Sequence, residues 1–187
     1  MKIEQYFNLP VPCDVSWNYF QDLRQVAECI PGGEITGDDG EATYFGTVSL
    51  RIGSFNVKFD GEAQLENDFE NKVGKLKCKG VDKRGGSRTR MTMEYRLSSI
   101  EDTTRVDIEV DLTLSGAIAQ FGRTGLINET ANIIMGQFSG CLEKKVLAVL
   151  AGQSTSEIEK PKQIGGISLI ARGLFAWLKK LITRSQK

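Results

Sequence analysis

Between residues 44 and 114 apolar and polar positions alternate with a period of two. Tyr44, Gly46, Val48, Leu50 and Ile52 fall on one side, and Phe45, Thr47, Ser49 and Arg51 on the other. The same alternation runs through Phe55–Glu66, Gly74–Gly80, Arg90–Leu97 and Arg105–Leu114. One apolar face at this period predicts an antiparallel sheet with its other face in water, and the short links make it a meander. A further strand is read over Lys2–Leu9. Pro10-Val11-Pro12 breaks it, and Asp14 is placed to cap a short helix over Val15–Phe20. A second helix is read over Leu23–Cys29, and Pro31-Gly32-Gly33 ends that helical stretch.

The period changes after Ala117. Ile127, Ala131, Ile134, Phe138, Leu142, Val146 and Val149 recur at three- and four-residue steps, the stripe of one long helix. The fold class predicted for residues 1–151 is therefore α+β, a curved antiparallel sheet wrapped around a long C-terminal helix. Residues 152–163 read as a polar linker, and residues 164–187 as a separate amphipathic helix. Its apolar face includes Ile170, Leu174, Phe175, Leu178 and Leu181, with Trp177 at the boundary. Arg172, Lys179, Lys180 and Arg184 supply its charge. The apolar stretch is too short to span a bilayer, and Arg172 cuts it. A basic amphipathic helix with Trp and Phe fits the membrane interface, so these ten residues are the candidate membrane contacts. Docking on its own domain or in a partner's groove is the competing reading.

Charge sharpens this division. Of 24 basic and 24 acidic residues, seven basic and no acidic ones follow Glu159. Residues 1–159 thus carry −7 and the tail +7, which directs the tail towards an anionic lipid surface and makes the body a poor nucleic-acid binder.

If Gly53-Ser54 forms a two-residue hairpin, Leu50 faces Val57, Val48 faces Phe59, and Gly46 faces Gly61. Paired glycines on the core face then leave a notch. A methyl-sized void costs about 1 kcal/mol, so the notch takes Phe121 or Phe138, reflects sharp sheet curvature, or holds a ligand. A leucine at Gly46 or Gly61 is expected to fill the notch and leave the sheet folded. The surrounding positions are apolar except for tyrosine hydroxyls, so a ligand there is a hydrophobic small molecule. Candidate ligand-binding residues are Tyr44, Gly46, Val48, Val57, Phe59 and Gly61 on the first strands, then Met91, Met93, Tyr95, Ile108 and Val110. Phe121, Ile134 and Phe138 complete the set from the helical segment.

Little in the chain points to catalysis. There is no histidine, which removes imidazole bases, His-containing triads and His-liganded zinc. Asp107, Glu109 and Asp111 share one strand face, yet no loop supplies the other oxygens calcium needs. Salt bridges to arginines such as Arg96 are the better reading. Cys13, Cys29, Cys78 and Cys141 have neither metal-site spacing nor the pattern of a secreted disulfide framework, and no export signal is evident at Met1–Tyr6. A cytoplasmic location, peripheral on the inner face of the cell membrane, is expected. No catalytic residue, metal or cofactor is assigned.

Asp22 followed by Val26-Ala27-Glu28-Cys29-Ile30-Pro31-Gly32-Gly33 resembles a signature of CoxG, a family of carbon monoxide dehydrogenase subunits. Gly46, Gly53, Phe59-Asp60-Gly61 and the run Leu114–Gly122 fall where that family has its glycines and its second motif. The resemblance covers roughly residues 1–150 and implies the START-like helix-grip fold (SRPBCC superfamily), with strand–helix–helix–six strands–helix order. It also implies a hydrophobic cavity between sheet and long helix, and association with membrane-linked oxidoreductases such as molybdenum hydroxylases. An isoprenoid quinone is the cargo implied. The expected function is a non-catalytic carrier tethered by its tail. A membrane-anchoring or assembly factor for such an oxidoreductase is the first alternative, and a START-fold cyclase or hydrolase the second.

Overall fold

The computed structural model describes residues 1–52, 55–123 and 125–161. Strand β1 (Lys2–Leu9) leads into helices α1 (Cys13–Phe20) and α2 (Leu23–Ala27). Six strands follow: β2 (Gly33–Asp38), β3 (Thr43–Ile52), β4 (Phe55–Asp68), β5 (Val73–Val81), β6 (Arg88–Ile100) and β7 (Thr103–Ser115). A 3-10 segment (Gly116–Arg123) then delivers the chain to helix α3 (Leu126–Leu150). The seven strands form one antiparallel sheet in the order β1-β7-β6-β5-β4-β3-β2.

The register agrees with the alternation in the sequence. Leu50 pairs with Val57, Val48 with Phe59 and Gly46 with Gly61. Three local expectations are corrected. Asp14 does not cap α1: Pro12 holds the N-cap position, and the Asp14 carboxylate pairs instead with Lys72 at 2.9 Å. Helix α2 ends at Ala27 rather than Cys29; its cap is Asp22, which accepts from the Arg24 and Gln25 amides. Strand β2 escapes the alternation because Ile35 is the one large apolar residue in GEITGD, and its register shifts between Ile35 and Gly37.

The apolar face of the sheet divides into two cores. One joins Leu9, Val11, Trp17, Phe20, Leu97 and Val106 to Leu142 and Val146 of α3. The other joins Val57 and Phe59 to Ile118 and Ile127, with Phe121 against it. Val149, expected on the buried stripe of α3, is 42% exposed. The helix has already passed the edge of the sheet there.

The notch expected at Gly46 and Gly61 is absent. Gly46 pairs with Gly61 and Gly61 with Gly80, so glycines line up across three strands. A Cβ on Gly61 would lie 2.1 Å from the Lys79 carbonyl oxygen, and one on Gly46 would lie 2.5 Å from that of Glu34. Strand backbone itself fills the space, so the glycines serve curvature and a leucine at either position cannot be accommodated. Gly74 is closed differently, because the Tyr95 ring occupies the place of its Cβ.

A covalent and ionic lock fixes α2 to α3. Cys29 and Cys141, both buried, form a disulfide that the cysteine spacing did not signal, at a sequence separation of 112. Beside it Lys145 is completely buried and donates to Glu28, which also pairs with Lys160 of the linker at 3.3 Å. The hydrogen bond from Lys145 is the main reason the Glu28 carboxyl is held below its ordinary pKa. Burial, and secondarily Glu28 and Asp22, push the Tyr19 phenol upward.

Gly61→Ala should lower stability by about 3 kcal/mol in urea denaturation. Gly37→Ala, with nothing near the new methyl, should stay within about 0.5 kcal/mol of the parent. The lowered Glu28 pKa implies stability that is present above the ordinary glutamate range and lost as pH falls through the folded value. Glu28→Gln should therefore be less stable than the parent at neutral pH, with the gap narrowing on acidification below about pH 4.

Candidate functional site

Between the two cores lies the part of the inner sheet face that α3 covers least. On one side α3 is held to β1: Phe138 meets Phe7 edge to face at 6.0 Å, and Gln5 Nε2 donates to Asn132 Oδ1 at 2.8 Å. On the other side it approaches β3. In the interval Tyr44, Val48, Ala63, Cys78, Met91 and Ile134 are only half-buried, although every one lies on the apolar face. The cross-strand pairs Tyr44–Ala63, Ala63–Cys78 and Cys78–Met91 make a continuous floor across β3 to β6. A curved sheet under a straight helix leaves an apolar groove, since the helix touches the rims before the floor.

The floor carries no charge. Burial pushes the Cys78 thiol up to about 11 and the Tyr95 phenol up to about 12, so both are neutral near pH 7. One polar atom is conspicuous on the helix side. Gln137 sits one turn from both Ile134 and Cys141, and its Oε1 is buried without a hydrogen-bond partner among the described residues. Nothing in the apolar periodicity marks it, because a single glutamine leaves the stripe intact.

The model of CoxG, a family of carbon monoxide dehydrogenase subunits, matches residues 6–147. The chain belongs to the CoxG family. A search of curated protein sequences returned no match. Solved structures share the fold at low identity. A conserved protein from Geobacillus kaustophilus superposes with a TM-score of 0.70 at 17% identity, covering 79% of this chain and 95% of its own. The ZhuI aromatase/cyclase from Streptomyces sp. R1128 gives 0.59 at 13%, covering 82% and 99%. A START superfamily protein from Mycobacterium smegmatis gives 0.55 at 12%, covering 76% and 97%. The fold is thus the START-like helix-grip fold, and this CoxG chain combines it with the groove just described. Family and fold together suggest a ligand-binding or carrier role.

The candidate ligand residues separate into two groups. Tyr44, Val48, Met91, Met93, Val110 and Ile134 remain half-buried along the groove or its margin. Val57, Phe59, Tyr95 and Ile108 are instead taken up by the cores. Tyr95 packs on Phe20 and Trp17, and its hydroxyl donates to Asn67 at 3.3 Å. Neither phenylalanine proposed as a plug fills a notch: Phe121 packs against Phe55 at 4.8 Å, and Phe138 against Phe7. Ala63, Cys78 and Gln137 were not among the sequence candidates. The first two were readable as inward positions, but size and type gave them no prominence.

On the outer face, Asp107 pairs with Arg105 at 2.8 Å rather than with Arg96, the cross-strand neighbour expected from sequence. The candidate membrane contacts Ile170, Arg172, Leu174, Phe175, Trp177, Leu178, Lys179, Lys180, Leu181 and Arg184 lie outside the described residues. Among the described residues no helix is long and apolar enough to cross a membrane.

Cys78 offers a direct probe of the groove. Its alkylation by a small neutral reagent should rise about tenfold per pH unit towards pH 11, while buried Cys13 stays unlabelled. An apolar ligand seated over Met91 and Ala63 should suppress that labelling, which peptide mass spectrometry would read.

Proposed function

We propose that this CoxG protein is a non-catalytic carrier of a hydrophobic molecule, with an isoprenoid quinone as the cargo. It would move this cargo between the membrane and a partner oxidoreductase of the molybdenum hydroxylase type, tethered by its C-terminal amphipathic helix. The observation that carries the reading is the half-covered apolar floor of Tyr44, Ala63, Cys78 and Met91 beneath Ile134. A polyisoprenoid chain is long, branched and uncharged, and gains about 25 cal/mol for each Å² withdrawn from water, less the cost of ordering it. The flexible, polarisable methionines Met91 and Met93 suit such a chain. The buried acceptor on Gln137 supplies one polar contact for a headgroup. Neutral Cys78 and Tyr95 favour holding over reacting.

The tail supports the membrane leg of the reading through its +7 charge and apolar stripe. It would place the protein in the cytoplasm, peripheral to the inner face of the cell membrane.

Protein purified gently from its native host should yield about one equivalent of quinone on organic extraction, read by ultraviolet and mass spectra. Ala63→Phe, which narrows the floor without touching the glycine row, should lower that yield several-fold at unchanged folding. An empty extract from the parent protein would overturn the carrier reading and favour the anchoring factor.

A further inference from the structure

The meander sorts charge by end. Turns β2–β3, β4–β5 and β6–β7 lie at one end of the strands, and turns β3–β4 and β5–β6 at the other. The first end is acidic: Asp39 and Glu41 occupy one turn, Glu70 the next, and Glu101 with Asp102 the third. Lys72 in these turns is already paired with Asp14. The opposite end is basic. In the β5–β6 hairpin Lys83, Arg84, Arg88 and Arg90 are all exposed. Its acidic groups are occupied, since Asp60 pairs with Lys83 at 3.2 Å and the buried Asp82 accepts from the Arg84 amide at 3.0 Å. None of the described carboxylates forms an ion pair with Arg84, Arg88 or Arg90.

Phe55, at the start of β4, is 40% exposed beside this basic end. Exposed rings occur at both ends, since Phe69 at the acidic end is 67% exposed, so charge is what distinguishes them. The basic end is also held firmly. The Ile118 amide donates to Ser87 Oγ at 3.3 Å, tying the β5–β6 hairpin to the segment that leads into α3.

We propose that this end of the sheet is a docking face for an anionic phospholipid bilayer, distinct from the C-terminal tail, with Arg84, Arg88 and Arg90 meeting headgroups and Phe55 entering the interface. The inference deepens the membrane leg of the carrier reading and rests on it. An isolated basic face on a body of charge −7 is drawn to an anionic plane, while the acidic turns are repelled from it. The pair of charges thereby sets orientation, holding the strands at a steep angle to the surface rather than flat upon it.

The test is partition of the full chain onto phosphatidylglycerol/phosphatidylcholine vesicles, with hydrogen exchange read on the bound protein. The double variant Arg84→Glu/Arg88→Glu should partition at least about tenfold more weakly than the parent, whereas Arg84→Lys/Arg88→Lys should partition like it. Residues 82–90 should gain exchange protection on anionic vesicles and none on pure phosphatidylcholine, with the turn at residues 69–72 unchanged. Equal urea midpoints for the two variants would exclude a folding defect. Unchanged partition of the glutamate variant, with protection confined to residues 164–187, would overturn the docking face. The carrier reading would still stand if quinone is extracted. Loss of partition in the glutamate variant of a protein that yields no quinone would support the face and remove the cargo.

Discussion

At Gly61 the carbonyl oxygen of Lys79 stands where a side chain would begin, and the bend this permits governs what can be laid inside the sheet. Three glycines in register, Gly46, Gly61 and Gly80, let β3, β4 and β5 coil together along one line. Beyond that line Val57 and Phe59 turn towards Ile118 and Ile127 and make a core of their own. On the near side β1, β6 and β7 pack with α1, α2 and the C-terminal half of α3. A flat sheet would let one helix lie on it everywhere. A sheet bent at the glycines leaves the helix supported at its two ends, and the span between is the groove.

Much of this was legible in the sequence, for a simple reason. Period-two alternation specifies which face each residue takes, and a two-residue turn specifies which residues face each other, so the pairing of Gly46 with Gly61 followed from arithmetic. What the spacing could not provide was the third dimension of that pairing. Two glycines side by side are equally compatible with a hole and with a fold in the surface, and the Lys79 and Glu34 carbonyls decide for the fold. Strand β2 was missed because a strand with one apolar residue carries no alternation. The Cys29–Cys141 disulfide was missed because its partners meet only when α2 and α3 pack.

Lys145 shows the same limit from the polar side. In the sequence it is one more lysine at the end of a helix, next to Lys144. In the fold Lys144 is exposed and Lys145 is wholly buried, and the difference is the single carboxylate of Glu28 from a different part of the chain. A buried ammonium is tolerable only where a partner is supplied, and that partner is not local. The groove is the converse case. Its residues are ordinary in type, and only their shared half-exposure singles them out.

Glu28 receives lysines from two directions, Lys145 from α3 and Lys160 from the segment that follows it. Between Leu150 and Lys160 the chain must therefore reverse and run back alongside the helix it has just left. Tension applied to the C-terminal segment reaches the domain at this carboxylate, part-way along α3, and not at the helix's last turn. Cys29 is adjacent in sequence and is bonded to Cys141, one turn from Lys145, so α2 and α3 receive the strain jointly. The contact is thus loaded in shear across several bonds, whereas a segment running straight on from Leu150 would peel the helix from its end, one contact after another.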